Sequence, residues 1–135
     1  MIRDARAQTA GHFHLFVYGT LRQGSAANAH LLDCERLADA TIPGTLYDID
    51  GRFPAVVLYG EGRVIGEVWR CPAPALARLD EYEGTAAGLF RRVAIEADTP
   101  AGAIPCWTYA AGPALARKLA PARRLPGGEW PPTRR

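Results

Sequence analysis

Sulfur is scarce in this chain, with three cysteines and one methionine among 135 residues. Cys34, Cys71 and Cys106 lie far apart, are odd in number and form no C-x-x-C pair. That argues against a disulfide framework and against a zinc site. Net charge is nearly absent too. A formal +2 is too small to imply a nucleic-acid or membrane partner, and the basic residues near the end, Arg117 to Arg135, come with no aromatic stacking motif. No run is long and apolar enough to span a bilayer, and the opening MIRDARAQTAGH has no hydrophobic segment of the secretory type. His12, His14 and His30 show no metal-ligand spacing. These absences predict a cytoplasmic protein without metal, cofactor, nucleic acid or membrane. They also leave function to a small-molecule site. No internal repeat or long linker is visible, and the length favours one core. We expect one domain over 13–130 with flexible tails at 1–12 and 131–135. Size alone points to a monomer or weak homodimer.

What is present reads mostly as short strands. FHLFVY, Phe13 to Tyr18, is β-prone, apolar and closed by Gly19. After the loop GTLRQGSAAN, a short helix is predicted over Ala27–Arg36, where Leu31 and Leu32 stand among good helix formers. Arg36 to Ile49 holds one or two strands broken near Pro43-Gly44. DIDGRFP reads as a turn. AVVLY, Ala55 to Tyr59, is a strand, and EGR after it suits a hairpin turn. In Val64 to Cys71 the alternation puts Val64, Gly66, Val68 and Arg70 on one face, and Ile65, Glu67, Trp69 and Cys71 on the other. Phe90 to Ala97 and Ile104 to Ala110 read as strands, and Pro113 to Leu119 as a last short helix. About six strands with two or three short helices predict an α+β fold, a small mixed β-barrel or strongly curled sheet.

The segment PAPALARLDEYEG, Pro72 to Gly84, breaks the β pattern. Pro74 suits a first helical turn and Gly84 a stop. With about 100° per residue, Leu76, Leu79 and Tyr82 define an apolar stripe. Glu83 falls inside it, Asp80 on its edge and Glu81 on the far side. Burying an ionised carboxylate without partners is expensive. Two readings follow: Glu83 lines a cavity, or the helix frays before it and leaves a surface acid. A carboxylate at the negative end of a helix dipole has its pKa raised. A raised pKa is what a general base near neutrality needs.

VYGTLR (Val17 to Arg22) and LDEYEG (Leu79 to Gly84), together with LFRR (Leu89 to Arg92), CWTY (Cys106 to Tyr109) and GGEW (Gly127 to Trp130), resemble the gamma-glutamylcyclotransferase family in its gamma-glutamylamine cyclotransferase-like, AIG2-like branch. The resemblance covers about residues 13 to 130. It implies a small mixed β-barrel that releases 5-oxoproline from gamma-glutamyl compounds. It also implies a catalytic acid/base at Glu83 and a gamma-glutamyl-holding loop at Tyr18, Gly19, Thr20 and Leu21. Phe90 stands where the family often has tyrosine, and Glu129 where it has aspartate.

The reaction needs neither metal nor covalent nucleophile, because the substrate's α-amine is tethered to the carbonyl it attacks. Backbone N–H groups at Gly19–Leu21 are candidate oxyanion donors. A non-catalytic member of the same fold, binding a small acid or amine, is the competing reading. Tyr109 is read either as a pocket or as a core residue. Tyr18 is read as strand-end packing whose backbone meets the ligand, Arg92 as a structural ion pair, and Arg22 as a solvated loop arginine. Cys34 and Cys106 lack a nucleophile's histidine motif. Specificity is expected in the loops around 23–30, 48–54 and 85–89.

Overall fold

The computed structural model describes residues 7–9 and 11–132. Six strands form one sheet: β1 (Gln8–Thr9), β2 (His12–Val17), β3 (Glu35–Ile49), β4 (Phe53–Pro72), β5 (Phe90–Thr99) and β6 (Gly102–Ala111). The order is β1-β2-β4-β3-β5-β6, and β6 returns to β2. That last contact, Leu15 opposite Trp107, is parallel and closes five strands into a ring. The neighbours within the sheet run antiparallel. The fold is thus α+β, a small mixed barrel-like ring with short helical pieces on its flank. One α-helix, α1 (Ala75–Tyr82), joins β4 to β5, and four 3₁₀ turns complete the described elements. No helix among the described residues is long and apolar enough to cross a membrane.

Strand alternation splits the core in two. Along β2, Phe13, Leu15 and Val17 enter one cluster, and Phe16, followed by Tyr18, enters the other. Along β4, Val64 and Val68 face the second cluster, and Trp69 and Cys71 the first, as the alternation in the sequence requires. The second cluster is built largely from strand side chains and fills the ring. The first includes Ala75 and Leu79 of α1, so the helix covers the opposite face.

Three elements differ from expectation. The helix predicted over Ala27–Arg36 is only a 3₁₀ turn, Asn28–Leu31. Leu31 is buried but Leu32 is 87% exposed, so a single anchor replaces an apolar stripe. From Glu35 the chain is already paired with β4. The hairpin turn expected at EGR is absent, because β4 runs through it. Pairing jumps from Pro43–Arg63 to Gly44–Leu58, so residues 59–62 are extruded as a wide bulge opposite Pro43-Gly44. The last helix, expected over Pro113 to Leu119, is a 3₁₀ turn, Pro113–Lys118.

The ends of the chain are tied in part. Ala7 is buried and Gln8–Thr9 pairs with β2, so ordered structure starts before residue 13. The rest of the expected 1–12 tail, 1–6 and 10, lies outside the described residues, as do 133–135. Near the other end, Leu125 N–H donates to Leu46 O (2.8 Å) and Gly128 O accepts from Ile65 N–H (2.8 Å).

Candidate active site

β2 ends at Val17, where the chain leaves the sheet through Tyr18-Gly19-Thr20-Leu21. These four residues form one wall of a cavity of about 270 Å³. The opposite walls are Arg52, Phe53 and Pro54 at the start of β4, Tyr82 and Glu83 at the end of α1, and Leu89, Phe90 and Tyr109. Gly19 is held against Pro54 so closely that a Cβ there would lie 2.6 Å from the ring. The Arg22 N–H closes a turn onto Gly19 O (3.0 Å), whereas the N–H groups of Gly19, Thr20 and Leu21 meet no acceptor among the described residues.

Glu83 owes its position to helical phase. Ala75 and Leu79 are buried, and Glu83 continues that i, i+4, i+8 line. The helix does not fray ahead of it. Glu83 caps α1 with helical dihedrals, and its N–H still donates to Leu79 O at 2.9 Å. Gly84 then breaks the helix in the left-handed region at φ 67°, the usual role of glycine at this position. Tyr82, counted with the apolar stripe in the sequence, is 39% exposed and turns its hydroxyl to Thr20 Oγ1 (3.0 Å). Glu81 is exposed. Among the described residues no hydrogen bond or ion pair engages the Glu83 carboxylate. Burial pushes its pKa up from an ordinary 4.5 to about 8, because the charged form loses hydration and gains no partner.

Two tyrosines frame this acid. The Tyr18 hydroxyl donates to Tyr109 O (2.5 Å) and accepts from Val56 N–H (3.2 Å), tying β2 to β6 and β4. The Tyr109 hydroxyl donates to Asp80 Oδ1 (2.6 Å). Arg92 pairs with the same carboxylate through Nε (2.9 Å) and Nη2 (3.3 Å), and its guanidinium lies 4.3 Å from the centre of the Trp107 ring. Tyr109 is therefore at once a core residue and a cavity residue, and Arg92 is structural. Both phenols are pushed up, first by burial, and Glu83's charge adds to each. Neither ionises near neutrality, so both act as neutral groups. Tyr18→Phe strips the acceptor from the Val56 N–H in a buried setting. We expect a loss of about 1–3 kcal/mol, read by chemical denaturation.

The loop is braced from behind by buried Glu67. Its Oε1 accepts from Gln23 N–H (3.0 Å) and Trp69 Nε1 (3.0 Å), and its Oε2 faces Arg22 Nε (3.5 Å). Arg22 also reaches Glu129 (3.4 Å), so it is a brace and not the solvated arginine expected. Asn28 Nδ2 donates to Leu21 O (2.8 Å), and the His30 ring lies 4.3 Å from that of Tyr82. The 23–30 segment thus supports the loop without lining the cavity. Among the described residues no group of His, Cys, Asp and Glu could hold a metal ion. Cys34 and Cys106 do not line the cavity, and burial pushes the Cys106 thiol up to about 12. Sequence reasoning missed the Asp80–Tyr109–Arg92 link and the role of Glu67. An acid on a buried strand position, flanked by Gln23 and Arg22 only in space, carries no local signal.

A family model described as gamma-glutamyl cyclotransferase, AIG2-like, matches residues 15–132. The chain belongs to this family. The gamma-glutamylcyclotransferase family protein YtfP of Escherichia coli K12 is 32% identical over 117 residues, 86% of this chain and 94% of YtfP. Gamma-L-glutamyl-butirosin B gamma-glutamyl cyclotransferase of Niallia circulans is 32% identical over 102 residues, 71% of this chain. The match spans only 65% of that relative's length. Among solved structures, an AIG2-like protein from Mus musculus superposes with a TM-score of 0.69 at 22% identity, covering 84% of this chain and 82% of its own, a likeness of fold. Glu83 and the Tyr18–Leu21 loop, about sixty residues apart in sequence, line this one cavity together.

Proposed function

We propose that this protein cyclises the gamma-glutamyl group of a gamma-glutamyl amine or amino acid to 5-oxoproline, releasing the amine, with Glu83 as the general acid/base. The observation that carries this reading is the unpartnered Glu83 carboxylate facing the Tyr18–Leu21 loop across one small cavity.

The substrate's α-ammonium gives one proton to the ionised Glu83. The freed amine attacks the γ-carbonyl carbon, closing a five-membered ring, and the N–H groups of Gly19, Thr20 and Leu21, which line the cavity, are the donors we assign to the oxyanion. The tetrahedral centre collapses, the carbon–nitrogen bond to the leaving group breaks, and Glu83 returns its proton to that nitrogen. The ring nitrogen loses its second proton and the departing amine gains it, so protons balance. Tyr109 and the aromatic wall of Phe53 and Phe90, with rings 5.8 Å apart, favour the folded conformer over the extended one. No step calls for a metal or cofactor.

Two results test this. The ionised form is the base, so kcat/KM should rise with pH through an apparent pKa near 8. A limb at the ordinary 4.5 would contradict the assignment. Glu81→Gln, on the exposed face of α1, should change 5-oxoproline release less than about twofold, within the range of neutral surface changes.

A further inference from the structure

One charged group of the cavity has no place in the reaction just described. Arg52 lines the site yet is exposed, so it stands at the opening. Its backbone is fixed by a tight turn in which Asp50 (φ 58°) and Gly51 (φ 70°) are both left-handed and Arg52 N–H donates to Ile49 O at 3.0 Å. The two residues after it, Phe53 and Pro54, form the cavity wall.

The acids nearest in sequence are engaged elsewhere. Asp50 takes Lys118 (2.7 Å) and Arg123 (2.8 Å), and Asp48 takes Trp130 Nε1 (2.8 Å) and Gly51 N–H (3.0 Å). Among the described residues no hydrogen bond or ion pair engages the Arg52 guanidinium. Arg22, Arg63, Arg78 and Arg92, by contrast, all hold carboxylates. The cavity therefore presents one carboxylate within and one free guanidinium at its rim.

The gamma-glutamyl head brings an α-ammonium, which Glu83 answers, and an α-carboxylate on the same carbon. In the pose proposed above the α-ammonium meets Glu83 and the γ-carbonyl meets the Gly19–Leu21 loop, both within the cavity, so the leaving amine departs toward solvent and passes the rim. A guanidinium there recognises a carboxylate and disfavours an ammonium.

We propose that Arg52 sets leaving-group specificity, favouring gamma-glutamyl compounds whose departing amine carries a carboxylate, as gamma-glutamyl amino acids do, over those whose departing amine is neutral there or bears a second cation. The inference rests on the cyclisation proposed above.

L-γ-glutamyl-L-alanine and L-γ-glutamyl-L-alaninamide test it, because they match in size and differ by one charge. The wild-type protein should prefer the acid by about three- to tenfold in kcat/KM, mostly through KM, as expected of one half-exposed charge-assisted contact. Raising ionic strength should narrow that ratio. R52K should keep most of the preference, R52Q should bring the ratio to near unity, and R52E should invert it. A wild-type ratio near unity, or a wild-type ratio surviving in both R52Q and R52E, overturns the inference while the cyclisation stands. Absence of 5-oxoproline from both peptides with the wild-type protein overturns this inference, and its absence from a gamma-glutamyl polyamine as well overturns the cyclisation reading.

Discussion

Glu83→Gln should lower kcat/KM for 5-oxoproline release about 10³-fold, the usual scale of a lost acid/base, and should at the same time make the folded protein more stable. The two effects share one cause. Glu83 ionises with difficulty in the fold because it is largely buried and meets no partner. Its pKa of about 8 in the folded state lies above the ordinary 4.5 it regains on unfolding. Between those values the folded protein holds a proton that the unfolded chain releases, so stability falls as pH rises. The penalty is absent below about pH 4.5, grows through the window and is complete above about pH 8. Glutamine keeps the shape and cannot ionise. The variant should therefore melt higher than wild type at pH 8.5 and at nearly the same temperature at pH 4. Equal melting temperatures at both pH values, or full turnover by the variant, would sink the role given to this residue.

Gly19→Ala should reduce turnover about 10²-fold, the cost of displacing reacting groups by something near an ångström. A Cβ on residue 19 would lie 2.6 and 2.7 Å from Pro54 Cγ and Cδ. The proline ring is stiff and continues into β4, so the loop and the hairpin wall must part until the contact becomes ordinary. That movement carries the N–H groups of residues 19–21 away from the carbonyl they are proposed to meet. Stability should fall less than activity, since the strain stays local to the loop and the first residues of β4. Steady-state kinetics with a melting curve on the same sample checks this. Adding Pro54→Ala removes the obstacle and should recover part of the loss. A double variant no better than Gly19→Ala would show that the steric account is wrong.

Much of the fold was legible because its signals are local. A period of two in Val64 to Cys71 places Val68 and Trp69 in different clusters, and Pro74 and Gly84 bracket α1 as turn chemistry requires. The misjudged pieces were those decided by distant partners. Leu31 and Leu32 resemble a helix stripe, but β4 claims the chain from Glu35 onward. Glu61-Gly62-Arg63 resembles a hairpin turn, but β3 continues alongside and residues 59–62 are absorbed as a bulge. Arg22 carried the same difficulty: a loop arginine reads as solvated until Glu67 and Glu129 are brought to it.

The sequence by itself put Glu83 within the apolar stripe of α1, Asp80 on its edge and Glu81 on the far side, and left a cavity position and a frayed surface position both open. The phase is a matter of 100° steps along eight residues, and helical hydrogen bonds impose it locally. It also determined that Tyr18-Gly19-Thr20-Leu21 leaves a strand as a loop. Only the tertiary structure decided that these two segments face each other, that Asp80 is spent on Tyr109 and Arg92, and that Arg52 stands unpaired at the opening. The reason is ring closure. β6 returns to β2 across the length of the chain, and that return sets the distances between groups that no window of sequence contains.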